Sequence, residues 1–173
     1  MTSLYILIRH LTFPGAIMKG FWQQVVCRIC KVPVEDNRYL RNDEMCGSVE
    51  HEFMPKARGA FALCFVPAFM NALIGCLLLV VPEVIFLMGF GSAPLKILSA
   101  VSLWFGLSLY LNSYPLIEDA MNMMNKVFRH GNILQKIFYA PAAALLYIGA
   151  YLERYNVTLI FALAGAIAII TIF

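Results

Sequence analysis

The chain has 173 residues, of which 61% are hydrophobic and only 13% are charged. An ordinary soluble domain is about one quarter charged and about half apolar, so this composition excludes a typical soluble enzyme and favours a membrane protein. The net charge of +3 gives no reason to expect an acidic partner. No basic-aromatic strip typical of nucleic-acid binders is present. We therefore expect the lipid bilayer as a partner and no nucleic acid.

Long apolar runs predict the membrane helices. A helix needs about 20 mostly apolar residues to cross a hydrocarbon core of about 30 Å. We predict one all-α membrane domain, residues 1–173, with a bundle of four to five transmembrane helices. The predicted spans lie at about 12–30, 59–82, 95–113, 134–152 and 156–173.

Two polar segments interrupt these runs. The loop 31–58 contains β-friendly pieces at 31–34 and 48–53, which predict a small hairpin. Residues 115–130 have the pattern of an amphipathic helix that lies in the membrane interface. Its apolar side consists of Leu116, Ala120, Met123, Met124 and Val127.

The first predicted span carries charge. Ile17, Phe21 and Val25 form one apolar stripe, while Lys19 and Gln23 lie one turn apart on another side. A charge at mid-membrane is costly, so Lys19 is expected to face protein, water or a polar cavity. The alternative is that its long side chain reaches to the interface.

The distribution of lysine and arginine predicts the orientation. These residues accumulate in cytoplasmic loops, so the loop 31–58, the region 118–136 and the C-terminus are predicted to be cytoplasmic. The residues on that side are Arg28, Lys31, Arg38, Arg41, Lys56, Arg58, Lys126, Arg129 and Lys136. The other side has only Arg9, Lys96 and Arg154.

Two groups of side chains are candidate metal ligands. The first has the ligand types that zinc uses, although its spacing is irregular after the first pair: Cys27, Cys30, Cys46 and His51. The second combines residues 50–52 with Glu118 and Asp119, whose carboxylates and imidazole suit a divalent ion. The alternative for the second group is a solvated acidic loop with carboxylates at a helix start. We expect no cofactor.

The order of several motifs resembles a known family. Phe13-Pro-Gly15 opens a helix that runs to Cys30, and Gly47-Ser-Val-Glu-His-Glu52 follows. Val66-Pro-Ala-Phe-Met-Asn71 lies in the second apolar run, and Ser113-Tyr-Pro-Leu-Ile-Glu-Asp-Ala120 follows the third. Over roughly residues 10–130, this order is similar to site-2-protease-like membrane metallopeptidases, particularly small variants with a Pro-Gly start.

The resemblance implies a degenerate member of that family. There, the first helix carries His-Glu-x-x-His, which supplies two zinc ligands and a general base, and a later aspartate completes the site. Asp119 matches that aspartate, while the helix positions hold Lys19, Gly20 and Gln23. Lysine is cationic, glycine has no carboxylate, and glutamine is a poor zinc ligand. The implied protein is inactive, with Lys19 and Asp119 as an ion pair in place of the metal.

We therefore predict a pseudoenzyme: a non-catalytic accessory or scaffold subunit of a larger membrane complex, bound to other integral membrane subunits. One alternative is a metal-dependent membrane enzyme with an atypical site at the cysteine, histidine and aspartate positions named above. Another is a small transporter, for which polar groups at mid-membrane are needed. Its only candidates are Asn71, Lys19 and Gln23, and no inverted repeat is visible.

Overall fold

The computed structural model describes residues 2–43, 45–87, 92–155, 157 and 160. Within them the fold is mostly helical, with six helices and one two-stranded sheet. In chain order the elements are α1 (Thr2–Leu11), α2 (Phe13–Cys30), β1 (Val34–Asp36), β2 (Glu50–His51), α3 (Ala57–Leu87), α4 (Ala93–Leu111), α5 (Ile117–His130) and α6 (Ile133–Arg154). Apart from 157 and 160, the predicted last span, 156–173, lies outside the described residues.

Among the described residues, three helices are long and apolar enough to cross a membrane. They contain the segments Ala57–Pro82, Ala93–Leu111 and Ile133–Glu153. This is compatible with a multi-pass membrane protein, but the expected four to five spans are not confirmed. Helix α2 does not qualify because Lys19, Gln23, Gln24 and Arg28 lower its average apolarity.

A short helix precedes the first predicted span. Helix α1 ends at Leu11, and α2 begins at Phe13 with Pro14 in its first turn. Proline fits there because its fixed φ is helical and its missing N–H would have no partner. The sequence pattern places the start of α2 correctly but gives no separate signal for α1, whose apolar residues merge into the same run.

Helix α3 is the axis of the fold. Its 31 residues make it about 46 Å long, which exceeds a hydrocarbon core of about 30 Å. Helix α2 runs antiparallel along its first half. Cys30 at the end of α2 lies against Gly59, and the Asn71 amide donates to the Gly15 carbonyl over 3.2 Å.

Helix α4 runs along the second half of α3. Gly75 and Gly106 lie against each other's carbonyl oxygens, so the two backbones approach closely without a side chain between them. Helix α4 ends at Leu111, about one turn after this crossing. There the Asn71 amide donates to the Asn112 carbonyl over 3.1 Å. The break at 112–116 therefore lies level with the middle of α3.

Helix α5 continues past this break along the first half of α3 and packs between α3 and α6. It covers most of the amphipathic segment predicted at 115–130. Its residues Met123 and Val127 share one apolar core with Ala60, Leu63 and Leu146. The apolar side of the segment therefore contacts protein.

The predicted hairpin is present as two very short antiparallel strands, with Val34 opposite His51. The first strand begins later than residue 31, because Lys31 forms the left-handed end of α2, with φ of 57°. The Val32 N–H donates back to the Cys27 carbonyl over 2.9 Å. These residues satisfy the last carbonyls of the helix and cannot also pair as a strand.

Candidate functional site

The polar side of α2 faces the protein interior. Lys19 and Gln23 are 0% exposed, whereas Phe21 on the apolar stripe is exposed and Ile17 and Val25 are half-buried. This arrangement reverses that of a water-soluble helix and suits one surrounded by lipid. Lys19 thus faces protein, one of the expected environments, and its side chain is fully buried.

Asp119, in the first turn of α5, is the centre of a buried polar cluster. Its Oδ1 lies 3.4 Å from the His51 Nε2, and its Oδ2 accepts a hydrogen bond of 3.4 Å from the Gln23 amide. The Gln23 side-chain oxygen accepts in turn from the Val49 N–H over 3.0 Å. Three segments that are distant in the sequence, α2, the loop and α5, therefore meet at one carboxylate.

The second predicted metal group meets only in part. His51 and Asp119 come together, but Glu50 binds the Arg41 guanidinium at 2.9 Å instead. Glu52 and Glu118 are exposed. The alternative interpretation, a solvated acidic loop and a carboxylate at a helix start, describes these two glutamates.

The His51–Asp119 contact is electrostatically favourable when the histidine is protonated. Burial lowers the pKa of His51, but the hydrogen bond and the negative charge of Asp119 overcome this effect. The pKa of His51 therefore lies above its ordinary value. The contact fixes β2 to the start of α5.

Lys19 lies close to this cluster but outside its hydrogen bonds. Asp119 is near enough for its charge to act on Lys19. Among the described residues, however, no carboxylate forms an ion pair with the Lys19 amine, and its Nζ has no hydrogen-bond partner. The expected direct ion pair between Lys19 and Asp119 is thus absent there, and the described partners of Asp119 are His51 and Gln23.

An aromatic ring covers Gly20, the position that the resemblance assigns to a catalytic glutamate. A Cβ atom at this glycine would overlap the ring of Tyr39. The Tyr39 hydroxyl donates a hydrogen bond of 2.7 Å to the Gln24 side chain, which holds the ring in place. The space beside Gly20 is therefore filled by the protein's own loop.

The segment 46–49 reinforces this cover. Loops are normally exposed, yet Cys46, Gly47, Ser48 and Val49 are all buried. Gly47 has a φ of +81°, and a Cβ atom there would press on Ala16 of α2 at 3.1 Å. The loop thus lies directly along the polar side of α2.

The sequence analysis does not identify Tyr39 and Val49 as parts of this site. The available signal was Gly20, because a glycine within a helix often marks the close approach of another part of the protein.

The candidate metal ligands do not converge. Across the described ranges, no three His, Cys, Asp or Glu side chains lie close enough together to hold a metal ion. Cys27 faces the Asp119 side of α2, whereas Cys30 lies against Gly59 of α3. Cys46 lies near Lys19 in the covering loop. Cys27 and Cys30, one turn apart on α2, instead pack against the same apolar core.

A second buried network joins the ends of four helices. Arg9 of α1 forms an ion pair with Glu153 of α6 and donates to the Asn112 side-chain oxygen. The Asn112 amide donates to the Thr12 hydroxyl at 2.9 Å. Asn71 completes the network through the Gly15 and Asn112 carbonyls, whereas Gln23 bonds to Asp119 and Val49. The sequence pattern does not predict the Arg9–Glu153 pair, because Arg9 precedes the predicted span 12–30 and Glu153 follows the predicted span 134–152.

Comparison of the chain with protein-family models, with curated proteins and with solved structures finds no match.

Proposed function

We propose that this chain is a non-catalytic integral membrane protein, an accessory or scaffold subunit of a larger membrane complex, and that it is a degenerate relative of site-2-protease-like peptidases. The observation that carries the proposal is the filled space at the matching positions. Gly20 lies under the Tyr39 ring, and Gln23 occupies a hydrogen bond to Asp119.

Chemistry at this cluster would need a metal or an activated water molecule next to Asp119. Lys19 places an amine near Asp119, and a cation there opposes the binding of a second cation. His51 and Gln23 contact both oxygens of the carboxylate. These contacts support a structural role for Asp119, in which it fixes α5 to α2 and to the covering loop.

A scaffold must present its interactions on the outside, and the outer faces of two helices are available. Large apolar side chains on α4 and α6 point away from the bundle, including Ile97, Leu98, Leu145 and Ile148. In a membrane such faces contact lipid or the helices of other subunits. In the interior, by contrast, polar side chains such as Gln23, His51 and Asp119 contact one another.

Metal analysis tests the loss of catalysis. Protein purified in mild detergent without chelators is expected to contain less than ~0.1 zinc per chain. A zinc ion bound at this site would be detected, because structural zinc binds with about 10 kcal/mol or more and survives purification. The variant Lys19→His/Gly20→Glu/Gln23→His should also remain free of zinc while Tyr39 is present. Close to one zinc per chain in either protein would overturn the proposal that the site is filled.

Purification from native membranes tests the scaffold role. The tagged chain, extracted in mild detergent, is expected to migrate with a mass well above 19.4 kDa plus detergent and to bring larger integral membrane proteins in constant ratio. An unrelated membrane protein with the same tag is the control for background. A stable monomer without partners would rule out the accessory role while leaving the metal result unaffected.

A further inference from the structure

Basic side chains from four helices meet at one end of the bundle. The ends of α2 and α5 and the starts of α3 and α6 lie there, since Val32, Ala60 and Val127 share one core and the rings of Phe61 and Tyr139 stack at 4.2 Å. We call this end the basic rim. Its cations are Arg28, Lys31, Lys56, Arg58, Lys126, Arg129 and Lys136.

The charge of the basic rim is not neutralised within the described structure. None of its seven cations forms an ion pair with a described carboxylate, whereas Arg38 and Arg41 in the loop bind Asp36, Asp43 and Glu50. The loop arginines are therefore used internally, and the rim cations remain available to a partner.

Glu35, Glu52 and Glu118 are exposed carboxylates that form no described ion pair, and the seven rim cations outnumber them. Surface charges of opposite sign within about 10 Å partly compensate each other at ordinary salt. The excess is nevertheless positive, so the rim attracts an anionic partner.

Large apolar side chains lie among these cations. Ile29 is 76% exposed next to Arg28, Phe53 is 70% exposed before Lys56, and Ile133 is 76% exposed at the start of α6. Exposed apolar groups of this size are unfavourable in water and favourable at the boundary between headgroups and acyl chains. The rim thus combines positive charge with side chains suited to insertion.

We propose that the basic rim binds the headgroups of anionic phospholipids, with Ile29, Phe53 and Ile133 inserted beside them. Two membrane-length apolar helices, α3 and α6, begin at this rim, which places it at a bilayer surface. Anionic headgroups are the abundant anions of that surface, and each nearby lysine or arginine strengthens their binding. The inference depends on membrane integration and is independent of the proposed scaffold role.

Lipid retention measures this binding directly. The protein is reconstituted in an equal mixture of phosphatidylcholine and phosphatidylserine, extracted in mild non-ionic detergent, and the retained lipids are counted by native mass spectrometry. We expect phosphatidylserine to exceed phosphatidylcholine several-fold, and the excess to fall as salt rises, because the attraction is screened. Equal retention of both lipids would overturn the proposal.

A matched pair of lysines supplies the control. Lys56 lies at the start of α3 in the rim, and Lys96 lies in the first turn of α4 at the opposite end of α3; both are exposed. Lys56→Gln should reduce the phosphatidylserine excess measurably, by at most about fivefold, while Lys96→Gln should leave it unchanged. Equal effects of the two variants would contradict a specific rim site.

A second comparison separates lipid from protein partners. The variant Lys31→Gln/Lys56→Gln/Arg58→Gln changes only exposed side chains, so it should unfold at the same temperature as the parent protein. It is expected to lose most of its phosphatidylserine preference and to keep its co-purifying proteins. If it loses an acidic protein and retains the lipid preference, the rim docks protein and the proposal is wrong.

Discussion

The contact between Gly20 and Tyr39 can be tested by adding one methyl group. In an open helical position, Gly→Ala stabilises a protein by up to about 1 kcal/mol, because glycine loses more backbone freedom on folding. At Gly20 the new Cβ would overlap the Tyr39 ring, whose hydroxyl is held by Gln24. Gly20→Ala should therefore stabilise the protein if the space beside Gly20 is open, and it should lose that gain if the Tyr39 ring covers the helix.

The expected magnitude follows from two opposing contributions. Overpacking in a well-filled site costs typically about 1–3 kcal/mol. Subtracting the helical gain of about 1 kcal/mol leaves Gly20→Ala between neutral and about 2 kcal/mol destabilising. In a Tyr39→Ala background the ring is absent, so Gly20→Ala should stabilise the protein by the helical gain of about 1 kcal/mol. The coupling between the two substitutions should thus be about 1–3 kcal/mol.

The assay is a double-mutant cycle on the free energy of unfolding. The parent protein, Gly20→Ala, Tyr39→Ala and the double variant are unfolded reversibly in mixed micelles with increasing denaturing detergent, and helicity is followed by circular dichroism. Tyr39→Phe, which keeps the ring and removes its bond to Gln24, serves as a second background and should preserve most of the coupling.

Two results would refute the reasoning. Gly20→Ala could stabilise the parent protein by the full helical gain, which would mean that the space beside Gly20 is open. The effects of Gly20→Ala and Tyr39→Ala could also add with no coupling beyond about 0.5 kcal/mol, the deviation normal for independent sites. In either case, Tyr39 would not fill the space beside Gly20.

Three further variants test the interior in the same assay. Lys19→Met should raise the free energy of unfolding by about 1 kcal/mol or more, because the buried amine has no partner among the described residues. A decrease of that size in the free energy of unfolding would show that the amine has a direct partner. The raised pKa of His51 means that its pairing with Asp119 stabilises the protein fully below about pH 6.5 and less as the pH rises through the folded value. The unfolding midpoint should therefore fall toward pH 8, and a fall of equal size in His51→Gln would contradict this. Gly15→Ala should cost about 3 kcal/mol, since its Cβ would overlap the Ser108 backbone carbonyl, which cannot rotate away; a neutral result would mean that α2 and α4 are further apart.

Helix positions were the most predictable part of the fold, because hydropathy responds directly to the bilayer. The runs at 59–82, 95–113 and 134–152 correspond to α3, α4 and α6 within a few residues, although α3 extends to Leu87. Helix α1 was missed, since nothing in the composition separates residues 2–11 from the run that follows. The separation is a single turn at Thr12.

The site was predictable in its residues and less so in its contacts. The spacing of Lys19 and Gln23 put both on one side of α2, and the structure brings Gln23 and Asp119 together. The partners of Asp119 depend on how the loop folds back, which local sequence does not determine. His51 was grouped with Asp119 on the basis of ligand chemistry, but Tyr39 had no pattern that would relate it to Gly20.

The ion pair between Arg9 and Glu153 has a consequence for biogenesis. Arg9 lies in α1 and its carboxylate partner Glu153 lies near the end of α6, so the partner is synthesised well after the arginine. At about 5–20 residues per second, synthesis of the intervening chain takes on the order of ten seconds. During that interval the guanidinium lacks its carboxylate partner, so the contact between α1 and α6 forms only after α6 has been synthesised.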